Sequence, residues 1–167
     1  MEQTLKRTSV VVIICSVVLV AFIVVQYTTF PKILPTLPFD GVDQGGYSGI
    51  GIRVNYIIDD LETWETLWTD IHNISTNTPE LPFVNFTTEV IIAVFLGEFA
   101  TGGYVAQITR IENSTSGLTV HIKEEHPGPS CIVTMAITRP YHIIKAELSS
   151  SQPIEFEYNV IVRNCPW

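Results

Sequence analysis

Few residues of the chain have the types and spacing that chemistry needs. The four histidines are spread along the sequence: His72, His121, His126 and His142. None has a second histidine or cysteine at ligand spacing, so we predict no metal site and no cofactor. Glu124 and Glu125 are adjacent, and neighbouring side chains on a strand point to opposite faces, so they do not form a pair of catalytic carboxylates. We therefore expect a protein that is not an enzyme.

Nucleophile motifs are also missing from the sequence. Residues 46–51 contain Ser48 between glycines but miss the Gly-x-Ser-x-Gly spacing, and no phosphate-binding Walker loop occurs. Ser130 beside Cys131 has no base that the sequence can identify. An enzyme whose site assembles only in three dimensions remains an alternative.

The central stretch of the chain indicates binding instead. Residues 90–96 form a continuous apolar run that predicts a strand buried on both faces, and residues from Tyr104 to Ile111 alternate as a half-buried strand does. Between them, Gly102 and Gly103 can take the positive φ of a tight turn. We predict a β-hairpin whose tip leaves backbone N–H and C=O groups open to a partner. Alternatively, the glycines only make a turn.

The N-terminal region predicts a membrane anchor. Residues 9–25 carry no charge, and with their flanks they reach the roughly 30 Å of a hydrocarbon core at about 1.5 Å per residue. A cleaved signal peptide is the alternative, although the run is longer than usual and no Ala-x-Ala site follows. Lys6 and Arg7 precede the run and only Lys32 follows closely, so we place the N-terminus in the cytoplasm and the rest outside the cell.

Three glycosylation sequons agree with an extracytoplasmic location; they begin at Asn73, Asn85 and Asn113. Cys131 and Cys165 are the only cysteines beyond the apolar segment, and an oxidising compartment permits a bridge between them, two buried thiols being the alternative. From Asp40 onward the chain has 6 basic and 16 acidic residues, a net charge of −10. Such a surface repels nucleic acid and anionic lipid.

The remaining pattern predicts a mostly β, α+β domain. Residues 50–58 alternate as a strand, and Asp59 or Asp60 caps a helix on which Trp64 and Trp68 lie one turn apart. These tryptophans either pack the helix on a sheet, which we favour, or form an exposed patch. Further strands are predicted at 118–123, 131–137, 141–148 and 154–162. About seven strands and one packed helix favour an antiparallel β-sandwich or open barrel.

The predicted organisation has four parts: a cytoplasmic tail (1–8), a transmembrane helix (9–27), a proline- and glycine-rich stalk (28–49) and an extracytoplasmic β-rich domain (50–167). Proline makes the first half of the stalk semi-rigid, and glycine loosens the second half.

Several segments together resemble the C-terminal domain of the protease complex subunit PrcB family. They follow in order: Trp64 and Trp68, residues 82–86, 90–97, 101–104, 127–128 and 138–144. The family usually has aspartate where this chain has Asn85. The resemblance implies a non-catalytic subunit at the cell exterior that associates with a protease and supports its stability or maturation.

Two of these segments are also similar to loops of chagasin-type cysteine-protease inhibitors, which are β-sandwiches. This similarity covers only the tips. The predicted protein-binding residues are Phe99, Thr101, Gly102, Gly103, Tyr104, Arg139, Pro140 and Tyr141. Three functions stay open: a protein-binding module that acts on a protease as accessory or inhibitor, a structural surface domain without a specific ligand, and an enzyme.

Overall fold

Two four-stranded sheets face each other in the part of the chain that the computed structural model describes, residues 35–74, 78–114, 117–148 and 152–165. The elements there are β1 (Thr36–Leu37), β2 (Asp40–Gly45), β3 (Arg53–Ile58), α1 (Leu61–His72), β4 (Val90–Leu96), β5 (Val105–Ser114), β6 (Gly117–Pro127), β7 (Tyr141–Ala146) and β8 (Ile154–Arg163). Sheet A has the strand order β1-β5-β6-β8 and sheet B the order β2-β7-β4-β3. The predicted mostly β class with one helix is confirmed, and the two sheets form no closed barrel within the described residues.

Strand β4 lies at the centre because both of its faces are covered. Ile92 and Val94 pack against the apolar side chains of sheet A, whereas Ile91, Ala93 and Phe95 pack against α1 and its neighbours. All seven residues of β4 are buried, as the continuous apolar run predicted. Each fully buried large side chain contributes about 1.5–3 kcal/mol.

Helix α1 begins at the predicted cap. The Asp60 carboxylate accepts hydrogen bonds from the Thr63 backbone N–H at 2.8 Å and from the Thr63 hydroxyl at 2.7 Å. These bonds lower the pKa of Asp60. They also satisfy one of the free N–H groups of the first turn, which is why the chain starts its helix here.

The two tryptophans of α1 lie in the core beneath sheet B. Trp64 is fully buried and Trp68 is 5% exposed. Their indole N–H groups donate to the carbonyl oxygens of Pro82, at 3.2 Å, and Pro79, at 3.0 Å. The packing interpretation is therefore confirmed.

The predicted hairpin between β4 and β5 is wrong. Strand β4 pairs with β3 and β7 in sheet B, whereas β5 pairs with β1 and β6 in sheet A. Sequence neighbours separated by a glycine turn usually pair, but here the connection crosses from one sheet to the other.

Three further expectations need correction. Residues 131–137 form no strand.

Strands β1 and β2 pair with β5 and β7, so the domain includes residues 36–45 of the predicted stalk. The sequence of β2, Asp-Gly-Val-Asp-Gln-Gly, has low strand propensity, so its pairing depends on the tertiary contact. Finally, β6 and β8 are parallel, so the sandwich is not wholly antiparallel.

The predicted transmembrane segment, residues 9–27, lies outside the described residues. Among those that are described, no helix has the length and apolar character to cross a bilayer.

Candidate protein-binding surface

The chain leaves sheet B through residues 97–104, which we call the crossing segment. It begins at Gly97, whose φ of +82° suits glycine. A Cβ there would lie 3.0 Å from the backbone nitrogen of Arg53, so a side chain would also be crowded. Gly97 thus permits the abrupt turn that carries the chain from one sheet to the other.

Residues 131–137, which we call the apolar loop, cover the crossing segment. At its end Phe99 and Thr138 exchange two backbone hydrogen bonds, of 2.8 and 2.9 Å. Further along, the Gly102 N–H donates to the Thr134 carbonyl at 2.9 Å, and the Thr138 hydroxyl donates to the Thr101 carbonyl at 2.7 Å. The two segments are therefore joined by backbone hydrogen bonds along their length.

Because the apolar loop covers the crossing segment, the prediction that Gly102 and Gly103 expose their backbone groups to a partner is wrong. Gly102 is buried, its N–H is bonded, and a Cβ on it would overlap the Thr134 hydroxyl oxygen. Gly103 has a φ of +94°, and a Cβ there would lie 3.0 Å from side-chain atoms of Pro127 and Val133. Both glycines permit close packing of the apolar loop, so their backbones are not displayed to a partner.

A disulfide anchors the apolar loop to the end of β8. Cys131 and Cys165 are bonded, with Cα atoms 5.0 Å apart, which confirms the predicted pairing. The Cys131 N–H donates to the Gly128 carbonyl at 2.9 Å, and the Ser130 hydroxyl donates to the Cys165 carbonyl at 3.2 Å. The loop thus has a fixed start as well as a paired end.

The apolar loop turns large hydrophobic side chains to the solvent. Ile132 is 93% exposed, Met135 is 87% exposed and Ile137 is 57% exposed. Single exposed hydrophobic residues are normal, but three within six residues of one loop form a local patch. Exposed apolar patches on anchored loops are typical of sites that bind other proteins.

Arg139 extends this patch on one side. Its guanidinium donates to Glu98 Oε2 from Nε at 3.0 Å and from Nη2 at 2.8 Å, and its backbone N–H donates to Gly46. A shallow pocket of about 270 Å³ next to it is lined by Tyr47, Ser48, Ile74, Ile137 and Arg139. Ile137 belongs to both, so this pocket adjoins the exposed patch of the apolar loop. The candidate surface consists of Ile132, Met135, Ile137, Tyr47, Ile74 and Arg139.

Two other predicted contact residues lie in the interior. Pro140 is buried, and Tyr141 is 4% exposed with its ring stacked on Phe95 at 5.8 Å between centroids. The Tyr141 hydroxyl donates to Asp43 Oδ2 at 2.7 Å. Burial, followed by this hydrogen bond, raises the pKa of Tyr141. Of the 139–141 stretch, only Arg139 is accessible to a partner.

Two of the remaining predicted residues, Phe99 and Tyr104, form an aromatic cluster with His126. The rings of Phe99 and Tyr104 stack with centroids 3.9 Å apart, and the His126 ring lies edge-on at 5.1 Å from Tyr104. All three side chains are half-buried. The structure therefore brings Phe99, Thr101 and Tyr104 next to Thr138 and Arg139, as the sequence pattern grouped them. A binding role for these residues stays a prediction.

Glu124 is the one buried carboxylate beside this cluster among the described residues. It accepts two hydrogen bonds from Arg53 Nη2, at 2.7 and 2.9 Å, and lies 2.7 Å from His126 Nε2. Burial acts to raise the pKa of Glu124, but the hydrogen bonds from Arg53 and His126 outweigh it, so the pKa is lowered. The His126 side chain is 33% exposed, so this pairing lies at the edge of the solvent.

No cluster of three or more metal-ligating side chains occurs in the described ranges. Glu124 and Glu125 lie on opposite faces of β6, as predicted, with Glu124 buried and Glu125 paired with Lys123 at 2.8 Å. Both carboxylate oxygens of Glu124 are occupied by contacts with Arg53 and His126, so we interpret the group as a structural ion pair.

The three sequons lie at different depths. Asn73 is exposed at the end of α1, Asn85 is exposed before β4, and Asn113 is half-buried on β5. The Asn85 side-chain oxygen accepts hydrogen bonds from the backbone N–H and the hydroxyl of Thr87. Glycosylation of the three sites stays a prediction.

Sequence reasoning missed Ile132, Met135 and Ile137 as surface residues. An apolar run of that length predicts a buried strand, and these residues were assigned to one. The signal against a strand lies just before the run, where Gly128 and Pro129 begin a turn that closes at Cys131, whose disulfide ties the loop to the end of β8.

No curated protein and no solved structure matches the chain. A family model does match part of it. The matched residues, 90–147, run from β4 through β7 and include the crossing segment and the apolar loop, whereas α1, β8 and Cys165 lie outside the match. In this stretch the chain is similar to the family described as PrcB C-terminal.

Proposed function

We propose that this chain is a membrane-anchored, extracytoplasmic subunit of a protease complex, which binds its partner through the apolar loop and has no catalytic role of its own. The match to the PrcB C-terminal family over residues 90–147 supports association with a protease complex. The matched stretch contains the crossing segment and the apolar loop, so the similarity includes four of the six residues of the candidate surface; Tyr47 and Ile74 lie outside it.

The observation that carries the proposal is the exposure of Ile132, Met135 and Ile137 on an anchored loop. A disulfide holds the start of the loop, and backbone hydrogen bonds to Gly102 and Phe99 hold its middle and end. A loop ordered before binding loses little conformational entropy when a partner covers it. Because the exposed side chains do not contribute to the core, we assign them to recognition.

The charge of the domain specifies the chemistry of the partner. The apolar loop belongs to the acidic part of the chain, which from Asp40 onward has a net charge of −10. Complementary interfaces place opposite charges at the rim around an apolar centre. We therefore expect a protease subunit that offers an apolar groove bordered by lysine or arginine.

Several features support the proposed location. The Cys131–Cys165 disulfide fits an oxidising compartment, in agreement with the three sequons. The uncharged run at residues 9–25, preceded by Lys6 and Arg7, supports an anchor with its N-terminus in the cytoplasm.

The test is capture of a protease by the tagged full-length chain, extracted from its own membranes after mild cross-linking. The captured material is identified by mass spectrometry and probed with active-site labels for proteases. We expect a labelled protease with the wild-type chain, and loss of at least about tenfold of it with the double variant Ile132→Asp and Met135→Asp.

Phe83→Asp is the matched control, because Phe83 is 85% exposed and lies outside the apolar loop. This variant should retain capture. Equal capture by the loop variant and the control would assign binding to another surface, and capture of proteins without any protease would contradict the proposed partner.

The buried positions of Gly102, Pro140 and Tyr141 favour an accessory over an inhibitor, because these residues cannot enter an active-site cleft without unfolding the loop. Adding the chain to the captured protease should therefore leave peptide hydrolysis unchanged or slow its loss with time. A dose-dependent fall in initial rate would assign the inhibitor function instead.

A further inference from the structure

Strand β8 forms one edge of sheet A. It pairs with β6 on one side, and no described strand pairs with it on the other. The pairing with β6 runs without a bulge over ten residues, from Ile154 to Arg163. An edge this long and regular is a template for another strand. It also lies outside the stretch that matches the PrcB C-terminal family.

The backbone groups that point to the open edge follow from two observed hydrogen bonds. Pro153 O accepts from Leu118 N, and Arg163 O accepts from Gly128 N, both at 2.9 Å. Odd-numbered residues of β8 therefore turn their backbone groups toward β6. Because backbone groups alternate along a strand, Phe156, Tyr158, Val160 and Val162 turn theirs to the open edge.

Apart from its outward-facing charges, the edge lacks the features that usually prevent strand addition. Strand β8 contains no lysine and no proline, and none of its even-numbered, inward-facing residues is charged. Ile154, Phe156 and Tyr158 pack on the core, but beyond them Val160 is 52% exposed and Val162 is 57% exposed. Natural monomers protect such edges with charges, proline or bulges.

The distribution of charged residues along β8 indicates which strand could pair with its open edge. The first half carries Glu155 and Glu157, and the strand ends at Arg163. An antiparallel second β8, related by a twofold axis through Asn159, places Glu155 opposite Arg163 twice. In that register Tyr158 lies opposite Val160, and both have backbone groups on the open edge, so the hydrogen bonds match the register. A parallel copy in register would instead oppose glutamate to glutamate.

We propose that β8 is a homodimerisation edge, on which a second copy of this chain pairs its own β8 antiparallel about Asn159. The two A sheets then form one continuous eight-stranded sheet. The exposed Val160 and Val162 of each copy lie beside Tyr158 and Phe156 of the other, where cross-strand apolar pairs stabilise the sheet. The function proposed above does not require this contact.

Cysteine cross-linking of the full-length chain tests the register. In a Cys15→Ser background, Asn159→Cys places two thiols across the twofold axis, where opposite Cα atoms are about 4.5 Å apart and can form a disulfide. Glu155→Cys is the matched control, because its two copies are eight residues out of register, about 27 Å apart. We expect covalent dimer to form at least about tenfold faster with Asn159→Cys than with the control. Equal rates, or no dimer from either variant, would overturn the proposal.

A charge exchange distinguishes self-pairing from addition of a different strand. In the Glu155→Arg variant, both cross-strand pairs place one arginine opposite another. In the Arg163→Glu variant, both pairs place one glutamate opposite another. Each variant should therefore weaken dimerisation about tenfold in sedimentation experiments. The double variant restores both pairs and should restore the wild-type dimer. Both positions are exposed, so the fold should not depend on them. Failure of the double variant to recover, with thermal unfolding unchanged, would contradict a second copy as the partner.

Discussion

The backbone N–H of Gly102 donates to the carbonyl of Thr134 at 2.9 Å, and a Cβ on Gly102 would overlap the Thr134 hydroxyl oxygen. This contact joins the segment that crosses between the sheets to the loop that bears the exposed apolar side chains. Gly102 therefore affects the candidate surface indirectly. Because it has no side chain, the apolar loop can pack closely against the crossing segment.

Replacing Gly102 tests this relationship. Gly102→Ala should reduce the free energy of unfolding by about 1–3 kcal/mol, because the added methyl group displaces the Thr134 side chain and strains the loop. Urea unfolding measures the change. Gly46→Ala is the matched control, since nothing lies within 4 Å of a Cβ there, and its effect should stay within about 0.5 kcal/mol. Similar losses in both variants would show that Gly102 is not crowded in solution.

Removal of the disulfide should loosen the apolar loop. Cys131 and Cys165 are 34 residues apart in sequence, and closing a loop of this length contributes about 4 kcal/mol to stability, mainly by restricting the unfolded chain. The double variant Cys131→Ser and Cys165→Ser should unfold at a lower denaturant concentration and lose protease capture. Reductant should shift the wild-type midpoint toward that of the variant and leave the variant unchanged. A variant that captures the protease normally would show that the loop needs no anchor.

Buried His142 predicts a dependence of stability on pH. Its Nδ1 accepts the Ile108 N–H at 2.8 Å, and burial lowers its pKa below the usual 6.5, although nearby Asp43 acts in the opposite direction. Between the lowered folded pKa and 6.5, the unfolded chain binds more protons than the folded chain. The free energy of unfolding should therefore fall as the pH falls below about 6.5.

His142→Phe tests this dependence. The variant removes the titrating group, so the pH dependence between about 6.5 and 5 should become flatter. It also leaves the Ile108 N–H without its acceptor, which should cost about 1–3 kcal/mol at pH 7.5. Unfolding curves at a series of pH values measure both effects. An unchanged slope in the variant would assign the dependence to other groups.

The buried ion pair of Glu124 predicts unequal effects at adjacent residues. Glu124→Gln weakens the bonds to Arg53 and His126 beneath the aromatic cluster, so it should cost about 1.5–3 kcal/mol. Glu125→Gln removes only a more exposed pair with Lys123 and should cost at most about 1 kcal/mol. Urea unfolding of both variants at pH 7.5 provides the comparison. Equal losses would contradict the different roles assigned to the two faces of β6.

Local patterns predicted most elements of the domain. The apolar run at Val90–Leu96, the cap at Asp60 and the three- and four-residue spacing of Trp64 and Trp68 each describe interactions within one element. The pairing of Cys131 with Cys165 followed from their being the only two cysteines outside the apolar segment. Of the candidate surface, the sequence predicted only Arg139; Phe99, Thr101 and Tyr104, which were grouped with it, lie on the adjoining crossing segment.

What the sequence by itself determined is therefore strands β3 to β8, the helix and its buried face, because these depend on the periodicity of neighbouring residues. Only the tertiary structure decided which sheet each strand joins and what covers Gly102. Strand pairing depends on contacts between distant residues, so the polar stretch Asp40–Gly45 became a strand beside β7. For the same reason Ile132, Met135 and Ile137 are exposed to solvent. Their segment is apolar, but it pairs with no strand of either sheet.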